Sequence, residues 1–207
     1  MGASETVGIG ADDPGRQAWP TVLHGTSLAD WDYLNVGVSG STVAQAISEQ
    51  LPAALAAEPR LVTVWLNVND LTHQVPPNVY EQLLGSLVHQ LRRGGRTKVL
   101  VANTPAVEQL PAYRACLPSA PVSGPACDLP GVPSPRLVRR VVGEYNAAID
   151  RVAKGEGATV VDLNAASGRH SLTTMTGADG FHPSTQGHRA VAHAFAAAVD
   201  QVEGQGR

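Results

Sequence analysis

Two short stretches hold residues able to do acyl-transfer chemistry. Near the head of the chain Ser4 stands in Gly2-Ala3-Ser4-Glu5-Thr6. Close to the other end, Asp179-Gly180-Phe181-His182-Pro183 precedes an alanine-rich segment. A serine hydroxyl attacks a carbonyl once a neighbouring base takes its proton. Imidazole is such a base near neutral pH. A carboxylate can hold its tautomer and stabilise the imidazolium that forms. Asp179 and His182 are close enough in sequence for one loop to deliver both. Two further segments look chemical: Gly40 in Val38-Ser39-Gly40-Ser41-Thr42, and Asn69 in Asn67-Val68-Asn69-Asp70. Taken singly, each has a plain structural reading. Gly-Ala-Ser is a common turn, Asn-Asp a common helix start, and Asp-x-x-His a common loop. Their conjunction in this order carries the argument.

The elements that must position these residues alternate. Asp32–Val38 reads as a strand ending in a glycine turn, and 41–55 as a helix with Ser41 as cap. Arg60–Val68 is a nearly continuous β-branched run, the pattern of a strand buried on both faces. Leu83, Leu84, Leu87, Val88 and Leu91 form one helical stripe, which Gly94-Gly95 ends. A second buried strand covers 97–104. The long segment 105–133 is too proline-rich for regular structure and reads as a functional loop. A helix over 134–153, a short strand over 158–164 and a final helix from 183 complete the chain. Strands alternating with helices indicate one domain, 1–207, with a parallel sheet between helical layers. Ligands of such sheets bind beyond the carboxyl ends of the strands, where the four chemical segments lie.

These four blocks resemble the SGNH hydrolases, the GDSL-type lipases and esterases, over essentially the whole chain. The family's Gly-Asp-Ser block is matched by Gly2-Ala3-Ser4, and its Gly-x-Asn-Asp block by Asn67-Val68-Asn69-Asp70. Its Asp-x-x-His-Pro block is matched in full by Asp179, His182 and Pro183. The resemblance implies a flavodoxin-like α/β/α sandwich and a serine ester hydrolase acting on a small or medium acyl ester. It implies Ser4 as nucleophile, His182 as base and Asp179 as its partner. The oxyanion hole would be the N–H groups of Ser4 and Gly40 with the side-chain amide of Asn69, donors that a developing negative oxygen needs. No metal or organic cofactor is implied. Two positions depart from the pattern: Ala3 replaces an aspartate, which alters local hydrogen bonding, and Asn67 replaces a glycine, which would narrow the site or bend its loop. In the family an apolar strand leads directly into the first block. Here only Met1 precedes Gly2, so the expectation is a truncated first strand and a start internal to a longer reading frame.

Other readings are weighed beside this one. Gly2–Gly10 could be a phosphate-cradling glycine loop, yet it matches neither G-x-G-x-x-G nor the P-loop pattern. A catalytically dead relative that binds a ligand is the other alternative. Thr6 stands where the last glycine of G-x-S-x-G would be, which disfavours an α/β-hydrolase elbow. A net charge of −3 without a basic cluster argues against a nucleic-acid partner. No apolar run approaches a membrane span. Cys116 and Cys127 are either two separate thiols or a disulfide; their shared irregular loop favours the disulfide, and with it a secreted or cell-envelope protein over a cytoplasmic one. His24, His73, His89, His170, His188 and His193 read as surface or packing residues, with His73 near enough to Asn69 to line a pocket. Trp19, Trp31 and Trp65 read as core.

Overall fold

The computed structural model describes residues 1–119, 125–127, 131–169 and 172–204. Three strands, β1 Leu61–Val64, β2 Lys98–Ala102 and β3 Thr159–Val161, form a parallel sheet in that order. The register pairs Val62 with Val99 and Val101 with Val160. Gly2 adds a parallel bridge to Trp65, just past the end of β1, and Trp65 N–H donates to the Met1 carbonyl. The helices before β1 are α1 Ser4–Val7, α2 Pro14–Gln17, α3 Trp19–Ser27, α4 Val43–Glu49 and α5 Leu51–Ala56. Between the strands come α6 Val68–Thr72, α7 Pro77–Arg92, α8 Pro111–Ala115 and α9 Pro135–Glu156. After β3 follow α10 Leu163–Arg169, α11 Leu172–Met175 and α12 Thr185–Gly204.

Alternation along the strands explains the layers. Side chains of a strand point to opposite faces with period two. In β2, Val99 and Val101 enter a core with Leu84, Leu87, Tyr145 and Ile149, on the α7 and α9 side. Leu100 and Ala102 enter a second core with Trp19, Leu23 and Phe195, on the α3 and α12 side. Both faces are therefore apolar, as the continuous run of β2 implies. The result is the three-layer α/β/α sandwich. Trp19 stacks on Phe195 with ring centroids 4.2 Å apart, and Tyr80 on Tyr145 at 4.4 Å. Trp19 and Trp65 are buried, whereas Trp31 lies near the surface with the Arg60 guanidinium over its ring.

Several expected elements differ. Asp32–Val38 is not a strand: most of its side chains are exposed, and of its backbone N–H groups that of Gly37 goes to the Asn35 side chain and that of Val38 to the Gly2 carbonyl. The Asn35 side chain accepts the Gly37 N–H and donates to the Thr6 carbonyl, a local alternative to a ladder. The 41–55 helix is two helices, with Gln50 between them. Its cap is Thr42 rather than Ser41, in a reciprocal capping box with Gln45. Segment 105–133 contains regular structure after all, a 3-10 turn at Val107–Gln109 and α8, which starts on Pro111, where a helix needs no N–H. Residues 120–124 and 128–130 of that segment, and His170, lie outside the described residues. Cys116 and Cys127 are joined as a disulfide. Among the described residues no helix is long and apolar enough to cross a membrane.

Candidate active site

Ser4 opens α1 directly after the Gly2 bridge, so the edge of the sheet aims it. Gly2 is held from both sides: its N–H donates to Gln50 Oε1 at 3.0 Å and its carbonyl accepts from Gln50 Nε2 at 2.9 Å. The Val38 N–H also donates to the Gly2 carbonyl. Gln50 is fully buried, and its amide imitates a strand edge. Ser4 itself is 7% exposed.

His182 Nε2 lies 3.0 Å from Ser4 Oγ, and His182 Nδ1 lies 2.5 Å from Asp179 Oδ2. The other Asp179 oxygen accepts the backbone N–H groups of Phe181 and His182 at 2.9 and 3.0 Å. Partial burial works against the Asp179 charge, but the hydrogen bonds from the His182 ring and from the backbone outweigh it and hold the carboxyl below its ordinary range. The turn leans on the 105–133 segment. Ala112 N–H donates to the Gly180 carbonyl, and Gly180 has a φ of +67°. A Cβ there would meet Ala112 N and the Pro125 ring at 2.8 Å, so only glycine fits.

Gly40 and Asn69 are also brought together. Gly40 has a φ of +80°, left-handed backbone that a side chain would strain. Asn69 Nδ2 donates to the Ser41 carbonyl at 3.1 Å, which ties the two blocks. Asp70 adds a second tie, its carboxylate accepting the Val43 N–H at 3.0 and 3.2 Å. Asp70, the third residue of α6, therefore bonds the first N–H of α4 from a distance. Burial pushes its carboxyl up to about 6. The departures from the family pattern are benign in place. Ala3 sits in the first core, and the Asn67 side chain turns inward to donate to the Ala102 carbonyl, so it does not narrow the site.

Three groups near the site escaped sequence reasoning. Gln50 and Asp70 act through long-range backbone contacts, which leave no local pattern. Glu5 is buried at 7% exposure with Oε2 at 3.4 Å from Ser4 Oγ. Burial raises its carboxyl, while its own backbone N–H and the charge of His182 act the other way. The one visible signal was an ionisable residue directly after the serine. Of the remaining histidines, His188 is fully buried, accepting the Trp19 N–H on Nδ1 and donating from Nε2 to the Ile9 carbonyl. His73 is exposed and donates from Nδ1 to the Asn69 carbonyl, beside the site. Among the described residues no cluster of three or more His, Cys, Asp or Glu side chains is placed to hold a metal.

The family model of the GDSL-like Lipase/Acylhydrolase family matches residues 1–190. The chain belongs to that family and is by class a GDSL-type ester hydrolase. No curated protein sequence matches it. Solved structures do. The lipase/acylhydrolase from Enterococcus faecalis is 18% identical with a TM-score of 0.71, over 97% of this chain and 93% of that one. TesA is 25% identical with a TM-score of 0.68, over 93% and 92%. A form of Axe2, an acetyl xylan esterase from Geobacillus stearothermophilus, is 21% identical with a TM-score of 0.65, over 94% and 89%.

Proposed function

We propose that the chain hydrolyses small-molecule carboxylic esters through an acyl-enzyme on Ser4. The observation that carries this is the unbroken series Asp179 Oδ2, His182 Nδ1, His182 Nε2, Ser4 Oγ, with contacts of 2.5 and 3.0 Å. Ser4 Oγ attacks the ester carbonyl while its proton passes to His182 Nε2. Asp179 stabilises the imidazolium, and the Ser4 and Gly40 N–H groups with the Asn69 amide stabilise the tetrahedral oxyanion. His182 then gives its proton to the departing alcohol. Water attacks the acyl-enzyme by the reverse relay, which releases the acid and returns the proton to Ser4. The Cys116–Cys127 disulfide supports an extracytoplasmic setting, because reducing compartments keep thiols open.

The test is labelling with a fluorophosphonate probe, with peptide mapping and p-nitrophenyl acetate turnover alongside. Label on Ser4, lost in Ser4→Ala and His182→Ala together with about 10³-fold or more of turnover, is expected. Turnover that survives Ser4→Ala would overturn the Ser4 acyl-enzyme, and a wild-type chain that neither labels nor turns over would overturn the reading in favour of a binding domain.

A further inference from the structure

An apolar cavity of about 100 Å³ opens beside the nucleophile. Its walls include neighbours of three of the four blocks: Glu5 follows Ser4, Val68 precedes Asn69, and Phe181 precedes His182, while Trp65 pairs with Gly2. Leu163 and Ala166 of α10 also line it. Glu5 is the one ionisable residue in the lining, and its carboxyl bridges the distance to Ser4 Oγ at 3.4 Å. An acyl chain whose carbonyl carbon sits on Ser4 Oγ thus has an apolar space within reach, lined on the Ser4 side by the Glu5 carboxyl. Water leaves such a wall readily, whereas a charged or strongly polar chain would lose hydration there without a partner.

We propose that this cavity is the acyl pocket and that Glu5 caps its mouth as a specificity-determining residue, so that the preferred substrates are esters of short, uncharged acids. The inference rests on the ester-hydrolase reading above. Size sets the upper limit. A cavity of about 150 Å³ holds a benzene ring, so the smaller space here takes roughly three to four carbons. Glu5 sets the polarity. On the Ser4 side it faces His182, with Asp179 behind that ring, and no other residue lining the cavity is ionisable. Burial favours its neutral form, which leaves the mouth apolar. As pH rises and the carboxyl ionises, a chain entering past it must displace water from a charge. Longer acyl chains are then disfavoured relative to acetate. The ratio of two esters cancels any pH dependence of the chemical step that both share.

The experiment measures kcat/KM for p-nitrophenyl acetate, butyrate and hexanoate. The wild-type protein should favour acetate and butyrate over hexanoate by about tenfold or more. Its butyrate-to-acetate ratio should fall about threefold between about pH 5.5 and 8.5. Glu5→Leu should raise that ratio about fivefold and remove its pH dependence. Ala166→Leu, which adds volume at a lining position, should lower it about tenfold. The wild-type pH series needs no variant and guards against a misfolded one. Acetate hydrolysis with a chain-length ratio that none of pH, Glu5→Leu or Ala166→Leu moves by twofold would overturn the acyl-pocket assignment alone. Absence of all hydrolysis together with absence of Ser4 labelling would overturn the ester-hydrolase reading and this inference with it.

Discussion

The proposed nucleophile, Ser4, and its proposed base, His182, are held by opposite means. Ser4 is reached by chain buried in the sheet: Gly2 pairs with Trp65, its backbone is gripped at both polar atoms by buried Gln50, and Ala3 lies in the first core. The Asp179–His182 turn sits at the surface, with the Asp179 side chain 46% exposed. Its own carboxylate folds it by accepting the N–H groups of Phe181 and His182. Outside support comes from Gly177 N–H, which donates to the His182 carbonyl, from Ala112 in α8 just before Cys116, and from Pro125 inside the disulfide-closed loop, which packs on Gly180. Phe181 fastens the turn to a third apolar cluster with Val68, Leu110 and Tyr113. Burial fixes one partner of the reacting pair, and a network of short-range hydrogen bonds fixes the other. Precise chemistry therefore does not require both partners to be deeply set, only that each have its backbone bonds satisfied.

Lesions on the two sides should separate. The largest effect is expected at the third anchor, where the blocks meet: Asn69→Ala should lower kcat by about 10²–10³ with little change in KM, the mark of a donor used in the transition state. An effect on KM alone would make Asn69 a substrate-binding residue. On the buried side, Gln50→Ala leaves two backbone groups of Gly2 without partners. It should cost about 2–4 kcal/mol in urea unfolding, with activity lost in proportion to unfolded protein. On the surface side, Cys116→Ser with Cys127→Ser should cost about 3 kcal/mol. There, kcat should also fall about tenfold in protein that is still folded, because the support of the His182 turn loosens. Equal specific activity of the folded cysteine variant and the wild type would show that the turn is self-sufficient.

The smallest expected effect is a pH dependence of stability. The Asp70 carboxyl is pushed up to about 6 from an ordinary value of 3.8, chiefly by burial. Its stabilising share is complete below the unfolded value and is lost as pH rises through about 6, because the unfolded chain ionises there more readily. Glu5 acts in the same direction and Asp179 in the opposite one, so the variant difference is the informative quantity. The unfolding free energy of wild type minus Asp70→Asn should decline between about pH 4 and 6. A difference that stays flat across that window would mean that the fold leaves the Asp70 carboxyl at its ordinary value.

The sequence by itself determined the layers and the candidate reactive groups. The apolar runs of β1 and β2, the stripe of α7 and the Ser134 cap of α9 are local patterns, and local patterns are written in neighbouring residues. The Gly-Ala-Ser, Asn-Asp and Asp-x-x-His-Pro blocks were legible for the same reason: each is contiguous, though the last follows α11 and not a strand end. Even the disulfide could be read from two cysteines in one irregular segment. The tertiary structure alone decided how the blocks are fixed to one another. Asp32–Val38 has a strand's composition, yet Asn35 and exposure keep it out of the sheet. Asp70 looked like the cap of its own helix and instead caps α4, 27 residues away. Gln50 looked like one more helical residue and instead interrupts the helix to hold Gly2, 48 residues away. Glu5 showed its type but not its burial, which depends on walls supplied by residues from 65 to 191. A hydrogen bond across such separations leaves no periodicity in the chain; it exists only once folding has brought the donor and acceptor together.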